Sequence, residues 1–340
     1  MTISSSKAWL AALVVGMALV TACGGGGGNG DEGGGTTPPP GANPPVTGEY
    51  QPGRLWHDNY ALDYRSGTQI ASAGDAPAQV TPKLLARPWP DGAQYATADW
   101  NVYDDYTDIV VTETANSQVR YSTRVDGYFR DIRPSPASKD MIIGTWGEDS
   151  TSDATDVFVD LAGMKVLASM DAASGSLNWL PDGRYIHITP AGAITVGTVG
   201  GASQPHGQLA LPAAHEVAYV WVNRQGTQMA LRLLHAEGGS TESDIWVSAL
   251  DGSGLGRLTI TKLSHLARWS PDGTRIAFDV DTGHFCNGVG CVGTCEVWHA
   301  AATDRNVRAL PAVGDALRFR VKDRAGSEQR LGCDLLGWTD

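Results

Sequence analysis

The sequence predicts an all-β fold, a six-bladed β-propeller whose closing blade takes strands from both chain ends. Three observations carry this. A turn-centred motif recurs at steps of 46, 45, 43 and 47 residues. Short runs rich in Val, Ile, Trp and Tyr flank each copy. Past the N-terminal segment, no long stretch has the 3.6-residue period of a helix. Self-similarity at 40–50 residues with turn chemistry between short β-prone runs points to propeller blades, not to helical arrays.

The copies run in order "PWPDGAQYA" (88–96), "PSPASKDMI" (134–142), "WLPDGRYIH" (179–187), "VNRQGTQMA" (222–230) and "WSPDGTRIA" (269–277). Aligned on the turn, they place Gly92, Ser138, Gly183, Gly226 and Gly273 at one position. Pro-Asp-Gly supplies a preset φ, a side-chain acceptor and a residue free to take positive φ, which is what a tight hairpin asks for. A second element repeats in phase: an acidic residue opens an apolar strand in "DIVV" (108–111), "DVFV" (156–159), "DIWV" (244–247) and "EVW" (296–298), and "AITV" (193–196) holds the same place. "YALDYRSGTQI" (60–70) and "WVSALDGSGLGRLT" (246–259) read as outer hairpins. Each blade is thus inner strand, tight turn, second strand, variable loop, third strand, turn, fourth strand. Five inner pairs are complete. The sixth is shared: "LLGWTD" (335–340) supplies an inner strand and "PGRLWH" (52–57) the strand that follows it. Closure by both termini leaves no unpaired edge at the seam.

The copies "WSPDGTRIAF" and "WLPDGRYIHI" resemble the TolB-like propeller repeat, and the resemblance covers residues 50–340. It implies a propeller fold. It does not imply TolB itself, because the tether runs directly into the first strand with no preceding α/β domain. A repeat of this kind specifies fold strongly and function weakly.

The first residues read as an export signal. Lys7 is followed by an uncharged apolar run of 13 residues, Ala8 to Val20, shorter than the roughly 20 needed to span a bilayer. The run ends in Val20-Thr21-Ala22-Cys23, which resembles the bacterial lipobox. That resemblance implies removal of residues 1–22 and lipidation of Cys23. Gly24, rather than Asp, implies passage to the outer membrane, with the chain facing the periplasm. Residues 23–49 then form a Gly/Pro-rich tether, with 10 Gly between 24 and 41. Such a segment cannot bury a core.

A formal net charge of −12 argues against nucleic acid as a partner, since phosphate binding needs clustered Lys and Arg. The acid is not spread evenly. The variable loops 98–108, 147–156, 235–244 and 279–296 hold 14 of the 37 Asp and Glu and no Lys or Arg. They open on one face, so they predict an electronegative rim for a protein or peptide partner. Its residues are Asp99, Asp104, Asp105, Glu148, Asp149, Asp153, Glu237, Glu242, Asp279 and Asp281, with Trp100, Tyr103 and Tyr106 placed to stack on a ligand. Asp108, Asp156, Asp244 and Glu296 open third strands and read as structural. The basic segment 311–333 (Arg318, Arg320, Lys322, Arg324, Arg330) is expected on the same face, as an internal counterweight.

In an exported chain, Cys286, Cys291, Cys295 and Cys333 read as two disulfides. Neighbouring loops predict one bridge from Cys333 to the 286–295 loop and another within that loop. The rival reading is a thiolate metal site with His284.

Catalytic motifs fail on inspection. There is no G-x-S-x-G. "HEVAY" (215–219) lacks the second His of a zinc protease helix, and "GVGCVG" (288–293) has no helix after it. "DSTSDATD" (149–156) lacks the Gly and Glu of a calcium loop, so a divalent cation has only weak support. No cofactor is expected. The reading is a non-enzymatic, lipid-anchored binding scaffold. The alternative is a polysaccharide lyase-like enzyme using a cation at the central channel.

Overall fold

A computed structural model of the 340-residue chain describes residues 53–57, 60–63, 68–69, 85–101, 106–148, 153–237, 240–287, 290–309, 317–318, 321–322, 328–329 and 335–340. The signal, the lipidation position Cys23 and the tether lie outside the described residues. Among the described residues the fold is all β apart from one short 3-10 turn, Ala172–Ser174.

Five blades are complete among the described residues, where the sequence predicts six. Each has four antiparallel strands in chain order. Blade I is Leu85–Pro88, Gln94–Asn101, Tyr106–Glu113 and Val119–Asp126. Blade II is Tyr128–Pro134, Met141–Gly147, Thr155–Asp160 and Lys165–Asp171. Blade III is Ser176–Trp179, Tyr185–Ile188, Ala193–Gly197 and Gln204–Gln208. Blade IV is His215–Val222, Gln228–Glu237, Ser240–Ala249 and Gly256–Arg257. Blade V is Ser264–Trp269, Arg275–Asn287, Gly290–Ala301 and Leu317–Arg318.

A further sheet joins the chain ends. Leu335–Thr339 pairs antiparallel with Arg54–His57, setting Leu55 opposite Trp338 and Trp56 opposite Gly337. Tyr60–Asp63 and Thr68–Gln69 follow outward, and Val321–Lys322 and Glu328–Gln329 extend the edge. The basic segment is therefore partly strand. Leu317–Arg318 is the outermost strand of blade V, pairing with Trp298 and His299, and Lys322 pairs with Thr68 at the edge of the terminal sheet.

The core lies between blades, because each sheet buries both faces of its middle strands. In blade III, Tyr185–Ile188 is buried at every residue while Gln204–Gln208 is mostly exposed. Phe158 of blade II packs edge-on against Trp179 of blade III at 5.5 Å. Ala230, Ile245 and Val247 of blade IV close on Ile276 and Phe278 of blade V. The hairpin turns follow one plan. Gly92, Gly183, Gly226 and Gly273 take positive φ, and each N–H returns to the carbonyl three residues back. Asp91, Asp182 and Asp272 accept from the N–H two residues on. Asn223 replaces this by accepting from Thr227 and Gln228. In blade II, where Ser138 stands in place of Gly, the Ser hydroxyl accepts from Asp140 instead.

Candidate functional site

The inner strands of all five blades and of the terminal sheet surround one cavity of about 200 Å³. It opens at the end where the tight turns lie, with Pro90, Pro136, Pro181, Arg224 and Pro271 around its mouth. Since strands alternate direction within a blade, the variable loops lie at the opposite end.

The position five residues before the turn glycine faces this channel. It is Arg87, Arg133, Asn178, Trp221 and Arg268 in blades I to V. Three of these side chains also reach the next inner strand. Arg133 donates to the Leu177 carbonyl, Asn178 to Val220 at 2.8 Å, and Arg268 to Leu336 at 3.1 Å. The Trp one position later points back: Trp179 Nε1 donates to the Arg133 carbonyl and Trp269 Nε1 to that of Trp221, both at 2.8 Å. Polar side chains thus satisfy main-chain groups of neighbouring blades that sheet pairing leaves open.

The arginines differ in their partners. Arg87 pairs with Asp131 at 3.1 Å. Arg133 pairs with Asp156 and lies 3.5 Å from Asp131. Burial works against the Arg133 charge, but Asp156 and then Asp131 outweigh it and raise its pKa above the ordinary value. Arg224 pairs with Asp340 at the mouth. Arg268 donates to the carbonyls of Leu336 and Ala267 and has no carboxylate within ion-pairing distance among the described residues. Burial, and then the like charge of Arg87, bring its pKa down to about 10, with Asp131 and Asp279 opposing from further away.

Channel arginines were not among the sequence candidates. The signal was present in "ARPWPDG", "DIRPSP" and "ARWSPDG", where one column of the repeat alignment is basic three times in five. Nor does the channel supply the cation site of the lyase alternative: it presents guanidinium groups, and among the described residues no cluster of His, Cys, Asp and Glu suits a metal.

The predicted rim residues divide. Glu148 and Asp153 are exposed on the blade II hairpin. Asp99 is half-buried and faces Asp108 across the blade I strands. Arg124 binds Asp108 through two hydrogen bonds of 2.8 and 3.0 Å and covers the Tyr106 ring at 3.6 Å. Glu242 pairs with Lys262 at 2.7 Å. One expectation needs correction. Asp279 is buried inside blade V, so it is not on an open surface. Trp100 is half-buried and its ring packs on Tyr128 of blade II at 4.5 Å. Tyr103, Asp104, Asp105 and Asp149 lie outside the described residues. Of Glu237 and Asp281 only the strand backbone is described, opposite Ser240 and Cys295. Asp156 and Asp244 are structural, Asp244 accepting from Thr259 and from the N–H groups of Thr261 and Lys262. Cys295 is disulfide-bonded. The strand register sets Cys286 opposite Cys291, and Cys333 lies outside the described residues.

The sheet order and the channel define a β-propeller. No family model matches the chain, and no curated protein matches it. Among solved structures it is similar to TolB from Acinetobacter baumannii, at a TM-score of 0.51 and 14% identity over 77% of this chain and 67% of that one. Hydrazine synthase from Kuenenia stuttgartiensis gives a TM-score of 0.44 at 15% identity, covering 69% of this chain and 64% of that one. The Swd1 β-propeller domain of Myceliophteria thermophila gives 0.45 at 11%, covering 80% and 86%. The likeness to TolB shows the fold alone, that of a β-propeller.

Proposed function

We propose that this protein is a non-catalytic binding scaffold, a six-bladed propeller held at the cell envelope by a lipidated Cys23, facing the periplasm from the outer membrane, which engages a protein or peptide through its acidic loop face. The terminal sheet is the sixth blade. Its inner strand lies against those of blades I and V, and Trp56 Nε1 donates to Thr339 Oγ1 across the seam at 2.9 Å. On this reading the four cysteines of the globular part form two disulfides, one within the 286–295 loop and one from that loop to Cys333.

The observation that carries the binding face is the blade II hairpin. Glu148 and Asp153 are exposed there, and no cation pairs with either among the described residues. At the hairpins of blades I and IV, Arg124 and Lys262 already balance Asp108 and Glu242. Uncompensated carboxylates on the loop face of a rigid ring favour a basic partner.

The test uses the full exported chain. Wild type and the E148Q/D149N/D153N variant are compared for capture of envelope proteins at low and moderate salt. Capture that weakens with salt and is lost in the variant supports the reading. Equal capture by both overturns the acidic face. Recovery of a Cys23→Ser variant in the same membrane fraction as wild type overturns the anchor.

A further inference from the structure

We propose that the turn-side end of the channel binds a small carboxylate with a compact apolar body, held by Arg268 and Trp221. The site lies at the opposite end of the molecule from the acidic loops and does not depend on them.

The cavity is charged and apolar at once. Four arginines line it, Arg87, Arg133, Arg224 and Arg268, against a single lining carboxylate, Asp131. Three of the four are ion-paired, with Asp131, Asp156 and Asp340 as partners. Arg268 is the exception. Its Nε and Nη1 are fixed by the carbonyls of Leu336 and Ala267, at 3.1 and 2.9 Å, so the guanidinium is held in place before any ligand arrives. Its Nη2 has no partner among the described residues. Trp221 offers a second donor. Its carbonyl accepts from Trp269, but its own indole N–H meets no acceptor among the described residues. Arg268 and Trp221 are each only partly buried.

A preset guanidinium and an indole N–H lining the same cavity suit the two oxygens of a carboxylate, and charge-assisted bonds of this kind are the strong ones. The like charge of Arg87 nearby adds to the demand for an anion. The remaining walls are Trp179, Trp269, Trp338 and the mouth prolines, which suit an aliphatic or aromatic body. At about 200 Å³ the space is below the roughly 300 Å³ where sites for drug-sized ligands begin, so the occupant is small. The same chemistry comes from a free acid or from the C-terminal residue of a peptide.

The test is titration of the full-length protein with benzoate and hexanoate, against benzamide and hexanamide, followed by calorimetry and by tryptophan fluorescence. A second arm uses a short peptide ending in Phe, with a free or an amidated C-terminus. The acids, the free-terminus peptide, or both should bind at least tenfold more tightly than their amides. Binding by the acids assigns a free ligand; binding by the peptide alone assigns a chain terminus. Arg268→Gln, which keeps a donor for Leu336, should weaken binding at least tenfold, and Trp221→Phe about threefold. The E148Q/D149N/D153N variant should bind as wild type does. Acids and amides binding alike, no binding by any carboxylate, or unchanged affinity in a folded Arg268→Gln would each overturn the proposal. The acid-to-amide comparison needs no variant, so it decides even if Arg268→Gln fails to fold.

Discussion

Single residues in this protein act mainly across blade boundaries. The recurrence of Trp179 and Trp269 is visible in the sequence, but their acceptors are not, because Arg133 and Trp221 lie 46 and 48 residues away in the preceding blade. The same holds for His187, which the sequence places in a strand. The structure buries it in blade III with Asp156 of blade II nearby. Burial lowers its pKa, and Asp156 only partly offsets that. The sign follows. Above the ordinary value near 6.5 His187 is neutral folded or unfolded, and its burial carries no charge penalty. As pH falls below that value the unfolded chain takes up the proton first, so stability is lost between the ordinary value and the lower folded one. Thermal unfolding followed by circular dichroism should show a midpoint that drops from pH 7.5 to 5.5. In His187→Gln that part of the drop should vanish. An unchanged slope in the variant would remove His187 as its source.

At the level of elements, the hairpins were the most legible part of the chain. Pro-Asp-Gly fixes local geometry through its own atoms, and the turns at Gly183 and Gly273 bond as the sequence leads one to expect. Less legible were the pieces whose identity depends on a neighbour. Leu317–Arg318 and Val321–Lys322 are two-residue strands, too short to carry a period, and only an available sheet edge makes them strands. The turn reading gives a direct prediction. Gly183 has a φ of +85°, and an added Cβ would meet only the Ala137 side chain, at 3.1 Å. Gly183→Ala should therefore cost mainly the left-handed backbone penalty, about 1–2 kcal/mol. Gly183→Asn should cost less, since Asn tolerates that conformation. Urea midpoints of the two variants check the order, and equal losses would mean that packing rather than φ sets the cost.

For the whole molecule the decisive feature is the pairing of the two chain ends. It was legible because the repeat count left one inner strand at the C-terminus and its successor at the N-terminus, and Leu335–Thr339 does pair with Arg54–His57. What the repeat could not reveal is how tightly that pairing is held. Gly53 sits at the seam with a φ of +110°, and an added Cβ would lie 2.5 Å from the Thr339 carbonyl oxygen and 2.9 Å from both Trp338 Nε1 and Pro271 Cγ. Backbone cannot yield there without shifting the last strand. Gly200 provides the control, with a φ of +72° and nothing within 4 Å of an added Cβ. Gly200→Val carries the conformational strain alone, about 1–3 kcal/mol. Gly53→Val carries that strain and also forces the ends apart. If the closing sheet holds the ring as one cooperative unit, Gly53→Val should lose at least about 2 kcal/mol more than Gly200→Val in urea unfolding followed by tryptophan emission. It should also unfold in a broader transition, since inner strands on either side of the seam lose a neighbour. Equal losses with equally sharp transitions would mean that the five complete blades are stable without the seam, and that the terminal sheet is an accessory to the ring rather than its closure.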